Sequence, residues 1–228
     1  MNSRTSKASG DAGGSGPSME EIVEILRKRI VDHDLPPGSK LRETVLTEEF
    51  KVSRPRLREA FGVLEDRGLI ARIPNRGAVV TRLEAEEVYA LFEVREVLEA
   101  LAVRLATEKA APDSWEDLAR RFGKPAEAAL AKGDLDFYVD CVTTFRERAI
   151  QAAGNRILAA QLEGLYDRTK VLIRRLVMVP GRAMEGLKQH QEVLKAMLAG
   201  DAELAEQLKR KNIRSARDSF SSYSKYLL

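Results

Sequence analysis

Between Val52 and Ile70 the chain reads VSRPRLREAFGVLEDRGLI, and few folds accommodate residues in that order. Ser53 stands where a helix N-cap belongs, Leu57, Phe61 and Leu64 recur at helical spacing, and Gly68 ends the segment near Arg67. Just upstream, Thr44 to Phe50 has the length of one short helix, with LTEEF at its end. Two strand-like runs follow, Leu69-Ile70-Ala71-Arg72-Ile73 and Ala78-Val79-Val80, joined by Pro74-Asn75-Arg76-Gly77, whose residues suit a hairpin turn. Helix, tight turn, helix and β-hairpin together predict a winged helix-turn-helix, a fold that lays its second helix in a DNA groove.

The distribution of charge points the same way. Net charge is only +3, but Lys51, Arg54, Arg56 and Arg58 crowd a stretch without acids. Arg67, Arg72, Arg76 and Arg82 span another. Local basic stripes of this kind attract a phosphate backbone. Arg54 and Arg58, four apart, share one face at the start of the second helix and are expected to contact phosphate or guanine. Arg56 points to the other side and is a weaker candidate. Ser53 and Thr44 are expected to donate to phosphate, and Arg76 with Gly77 on the hairpin to enter or flank the minor groove.

Residues 1–17 are rich in Gly and Ser and are expected to form a disordered tail without a function of its own. Ser18 with Glu21 has the capping-box spacing, and Ile22, Ile25, Leu26, Ile30 and Val31 form the stripe of a first helix that Pro36-Pro37-Gly38 stops. After Leu83 the pattern is helical almost throughout. It predicts helices at about 84–110, 113–132, 134–153, 155–178, 182–199 and 201–224, separated by Pro112, Gly133, Gly154-Asn155, Pro180-Gly181 and Gly200-Asp201. The expected organisation is mainly α: a winged helix-turn-helix domain over 18–83, then an all-helical bundle over 84–228, with a short joint near Thr81–Glu84. No apolar run approaches the roughly 18 residues that would cross a bilayer, and no signal peptide is visible, so a cytoplasmic protein without a membrane partner is expected. Cys141 is the only cysteine, which excludes an internal disulfide and a multi-thiolate metal site, and it is expected to pack as a small hydrophobe. No nucleophile–base pair, phosphate loop or metal tetrad is evident, so no enzyme and no catalytic residue is expected.

Several segments resemble one known family. PPGSKL (Pro36–Leu41), VSRPRLREA (Val52–Ala60) and DRGLIARIPNRGAVV (Asp66–Val80) resemble the GntR family of bacterial transcriptional regulators. LFEVREVLEALAVRLA (Leu91–Ala106), FRERAIQAAGN (Phe145–Asn155) and HQEVLKAMLAGDAELA (His190–Ala205) resemble helices of the effector domain of its FadR-type, or FCD, subfamily. The resemblance covers about residues 18–224. It implies a homodimer on a palindromic operator, most often a repressor, answering to a small carboxylate-type metabolite. The family usually has Thr where Pro55 stands and Pro where Arg56 stands, a departure that bears on helix entry or operator preference.

Many FCD domains hold a divalent metal through an Asp, a His four residues later and two further His. The resemblance places Val142 and Arg146 at the first two positions, His190 at the third and Asn212 at the fourth. Only one ligand remains, and a cation at Arg146 repels a divalent ion, so no metal and no cofactor is expected. Arg146 is instead expected to take an effector carboxylate in a guanidinium fork, with His190 and Asn212 as neutral donors. Tyr138 shares a helix face with Val142 and Arg146, and Arg95 matches an Arg that the family often directs into the bundle; both join the expected effector site. The alternative is a DNA-binding dimer whose helical domain is purely structural.

Overall fold

The computed structural model describes residues 16–74 and 77–227. Most of the tail expected over 1–17 lies outside them, as does Arg76. The chain divides into two compact units between Thr81 and Arg82.

In the first unit, helix α1 (Met19–Val31) opens with a reciprocal capping box. The Glu21 amide donates to Ser18 Oγ at 3.2 Å, and the Ser18 amide donates to Glu21 Oε2 at 2.7 Å. Ile22, Val23, Leu26, Ile30 and Val31 are buried. Ile25, expected inward, is exposed, because Val23 lies nearer the centre of the stripe that Leu26 and Ile30 define. Strand β1 (Lys40–Leu41) follows, then α2 (Glu43–Phe50) and α3 (Arg54–Asp66). Lys51, in the left-handed region at φ 54°, turns the chain between the two helices. Strands β2 (Ile70–Ile73) and β3 (Gly77–Val80) form the expected hairpin, pairing Ile70 with Val80 and Ile73 with Gly77. Gly77 has φ +80°, a conformation that a side chain would strain. β1 adds to the far edge of β3, giving the order β1-β3-β2. A two-residue strand has no period to detect, and the sequence reading missed it. Leu26, Leu57, Phe61, Leu64 and Ile70 form the core beneath these elements, each large side chain contributing about 1.5–3 kcal/mol of burial.

The second unit is helical among the described residues: α4 (Ala85–Lys109), a 3₁₀ turn at Pro112–Trp115, α5 (Glu116–Arg121), α6 (Lys124–Ala131), α7 (Leu135–Ala153), α8 (Arg156–Val177), α9 (Arg182–Leu198) and α10 (Ala202–Leu227). The single helix expected at 113–132 is therefore interrupted. Pro125 sits in the first turn of α6, where its missing N–H is harmless; in an unbroken helix its ring would meet the Arg121 carbonyl. Asp134 and Asn155 cap α7 and α8 through their side-chain oxygens. One core cluster joins Trp115, Leu118, Phe122, Phe145 and Leu187, with Cys141 fully buried among them. Another joins Phe92 of α4, Leu176 of α8 and Phe220 of α10. No helix among the described residues is long and apolar enough to cross a membrane.

Candidate nucleic-acid interface and buried cavity

At the start of α3 the Ser53 hydroxyl oxygen accepts from the Arg56 amide at 3.5 Å, and Pro55 falls in the first turn, where its φ suits a helix. Arg54 is exposed and has no hydrogen-bond or ion-pair partner among the described residues; Thr44 is exposed in the first turn of α2. Arg58 is also exposed, yet it is not free. Its Nε donates to both Glu43 carboxylate oxygens at 3.1 and 3.0 Å, and its Nη2 lies 3.0 Å from Oε2. Any anion approaching that guanidinium must compete with Glu43. Arg56 is half-buried, and Gly77 lies at the exposed tip of the hairpin. Arg67 and Arg72 of the second basic stretch pair with Glu24 and Glu65, which ties α3 to α1 and to β2. The acid-free stretch in sequence is thus not free of acids in space.

In the helical unit Arg95, Tyr138, Arg146, His190 and Asn212 line one cavity of about 120 Å³. The sequence placed them on four helices, and the fold brings all five together. Val139, Val142, Ile173 and Ile213 supply apolar walls. The cavity is below the roughly 300–1,000 Å³ of sites for drug-sized ligands. Its charge is one-sided: Arg95, Arg146, Arg182 and Lys209 line it, with Lys170 and Arg174 also contributing, and Glu99 is the one acid among the lining residues.

Glu99 organises part of this charge. Arg95 Nε donates to its Oε1 at 2.9 Å, and Lys209 Nζ lies 2.9 Å from its Oε2. Burial alone would raise the Glu99 carboxyl, but Lys209, Arg95 and Arg146 outweigh it and hold it well below the usual carboxylate range. Lys209 also donates to Asn212 Oδ1 at 3.3 Å, and Asn212 Nδ2 donates to Gln189 Oε1 at 2.8 Å. Arg146 is different. Its guanidinium carbon stacks 3.2 Å from the Tyr166 ring centre, and its Nε and Nη2 are buried without a hydrogen-bond partner. Burial pushes the Tyr166 phenol up to about 12, and the Tyr138 phenol is raised for the same reason.

His190 stacks on Phe122 at 5.3 Å between ring centres and meets Phe145 edge-on. Its Nδ1 lies 2.8 Å from the Gly186 carbonyl oxygen, which can only accept, so Nδ1 carries the proton. Nε2, buried without a partner, therefore presents a lone pair, and the expectation of His190 as a neutral donor is corrected to an acceptor. Burial, aided by Lys209, lowers its pKa to about 3. A histidine that charges near 6.5 only when unfolded draws protons to the unfolded state, so its contribution to stability is intact above about 6.5 and falls as pH drops toward 3. We expect the stability of His190→Gln to depend less steeply on pH between 6.5 and 4.5 in denaturant titrations, by up to ~1.4 kcal/mol per pH unit. An unchanged slope would contradict this.

Of Val142, Arg146, His190 and Asn212, the residues that the resemblance sets at the ligand positions, His190 alone offers an unengaged lone-pair nitrogen, and the cations acting on it are Lys209 and Arg182. Among the described residues no group of three or more His, Cys, Asp or Glu is placed to hold a metal ion. Sequence reasoning missed Glu99, Arg182 and Lys209. A signal existed: Glu99 continues the buried row Val88–Phe92–Arg95 on α4, and Lys209 lies between Ala205 and Ile213 on the buried face of α10.

The first unit is a winged helix-turn-helix and the second an all-helical domain with a cationic cavity. Residues 18–80 match bacterial regulatory proteins of the gntR family, and residues 90–215 match the FCD domain. The chain belongs to the GntR family of helix-turn-helix transcriptional regulators, in the branch that carries an FCD domain. It is 29% identical over 194 residues to the regulator YdhC of Bacillus subtilis, covering 84% of this chain and 85% of that one. It is 25% identical over 206 residues to the transcriptional repressor RspR of Escherichia coli, covering 89% of each. Among solved structures, E. coli McbR/YncC shares the fold at a TM-score of 0.71 and 22% identity, over 91% of this chain and 98% of that one.

Proposed function

We propose that this regulator is a repressor that binds a palindromic operator as a homodimer and that a small carboxylate, held without a metal, sets its affinity for DNA. The carrying observation is Arg146: two buried guanidinium nitrogens face a small cavity with no partner of their own. Arg146 as a residue is half-buried and stacks on Tyr166, but those two nitrogens are shut off from water, and a ligand carboxylate would stabilise them in paired hydrogen bonds. His190 Nε2 accepts from a ligand hydroxyl or a bound water. Arg95 and Asn212 orient the wall through Glu99, Lys209 and Gln189, and Tyr138 closes one side. The family's activity is regulation, and the cavity holds no paired nucleophile and base, so we assign no enzymatic reaction. The repressor named RspR supports the sign of regulation in this reading.

The test is thermal shift and calorimetry of the full chain with short carboxylic acids, in EDTA, for wild type and Arg146→Gln. We expect binding that EDTA leaves intact and that Arg146→Gln weakens about tenfold or more, as for loss of a charge-assisted pair, with the helical circular dichroism unchanged. Stoichiometric zinc or nickel in the purified protein would contradict the metal-free reading. Silence across the acids would favour a purely structural helical domain. Light scattering should give twice the chain mass.

A further inference from the structure

The cavity contains a second buried guanidinium that the expected site does not use. Arg182, the first residue of α9, is 8% exposed and has no ion-pair partner among the described residues. Its one hydrogen bond there is a long one, from Nη1 to Gln189 Oε1 at 3.4 Å, onto an oxygen that already accepts from Asn212. Glu185, on the same helix, is exposed and engaged by Gln189 and Ser215. Arg182 lies on the Tyr138 side of the cavity: a side-chain carbon added at Gly186 would collide with the Tyr138 hydroxyl and come within 3.3 Å of Arg182 Nη1. Arg146 lies on the side of Glu99, Lys209 and Tyr166. Glu99 is in ion-pair contact with Arg95 and Lys209, which leaves Arg146 and Arg182 with no ion pair among the described residues, Glu99 and Glu185 acting on them only from a distance.

We infer that Arg182 is a second anion subsite and that the effector is a short metabolite with two anionic groups, one on Arg146 and the other on Arg182. This rests on the effector reading above and narrows it. A single carboxylate would neutralise one guanidinium and leave the other buried and unpaired, which is the costly arrangement. A dianion satisfies both across a cavity too small for a nucleotide or an acyl chain. Arg182 and Gln189 also line an open groove between α9 and α10, so this subsite stands next to a route in from solvent. Both a dicarboxylate and a phosphorylated acid have the required chemistry.

The experiment compares matched probes on the full chain at constant ionic strength. Malonate, succinate and glutarate are set against propionate, butyrate and valerate, with 3-phosphonopropionate as the phosphate-type arm. At least one dianion should bind about tenfold or more tighter than the monoacid of its length, the factor expected for one more charge-assisted hydrogen-bonded group. Arg182→Gln should erase that preference and leave monoacid affinity in place. Its unliganded melting temperature should hold or rise, because a buried unpaired charge is removed. Equal binding of monoacid and diacid, unchanged in Arg182→Gln, would overturn the second subsite while a single-carboxylate effector stands. Failure of every probe to bind would remove both readings. Preference for the phosphonate over the dicarboxylates would assign the second group as phosphate and support the subsite.

Discussion

Glu99→Ala is expected to destabilise the helical domain by about 3–5 kcal/mol, the cost of breaking a buried ion cluster from one side. Glu99 is 2% exposed and is the counter-ion of both Arg95 and Lys209, which are 5% and 2% exposed. Without it two cations remain in a low-dielectric interior that already holds Arg146. The acid dependence has a definite sign. A carboxyl held low in the folded state contributes stability that is present above its unfolded value near 4.5 and is lost as pH falls below it. Urea denaturation of wild type and variant at pH 7 measures the difference, and the gap should narrow below pH 4. The triple variant Arg95→Met, Glu99→Leu, Lys209→Met should recover most of the loss, because apolar residues of similar volume replace the whole cluster. A cost below about 1 kcal/mol for Glu99→Ala, the range of exposed pairs, would show that the cluster is hydrated.

Arg54→Ala is expected to weaken operator binding more than any other single change on the α3 face. Arg54 is exposed and unpartnered, whereas Arg58 must first leave the Glu43 carboxylate. If Arg54 reads guanine, its loss should cost about 1–3 kcal/mol and relax preference at one position of each half-site. If it holds phosphate, affinity should fall uniformly across sequences and the salt slope should drop by about one. Arg58→Ala should lose less, since wild-type Arg58 must give up its Glu43 pair before it can contact DNA. Fluorescence anisotropy at several salt concentrations separates these outcomes. An Arg54→Ala protein that binds every sequence as wild type does would remove α3 as the recognition helix.

Local chemistry made much of this legible in the sequence. Ser18 with Glu21, and Ser53, marked helix starts because a cap is written in adjacent residues. The hairpin was legible through Pro74 to Gly77. β1 was not, because its two residues become a strand only by pairing with β3. The break at Gly123 was overlooked although Pro125 signalled it. At the sites, helical spacing put Tyr138, Val142 and Arg146 on one face, and the resemblance supplied His190 and Asn212. What no local pattern contains is pairing across helices. Nothing near Arg58 in sequence announces Glu43, and nothing near Glu99 announces Lys209, 110 positions on. The same limit hid Arg182, whose meaning depends on what is missing around it.

One titration measures the proposed coupling between cavity and operator. The full chain would be used to select its own binding sequence from a random DNA pool. Its affinity for that sequence would then be followed as the tightest-binding short carboxylate is added. The account predicts a palindromic site bound by two chains, and a change in dissociation constant of roughly 5–150-fold, the range of ordinary allosteric coupling. That change should be absent in Arg146→Gln. An affinity that stays constant while the carboxylate demonstrably occupies the cavity would contradict it.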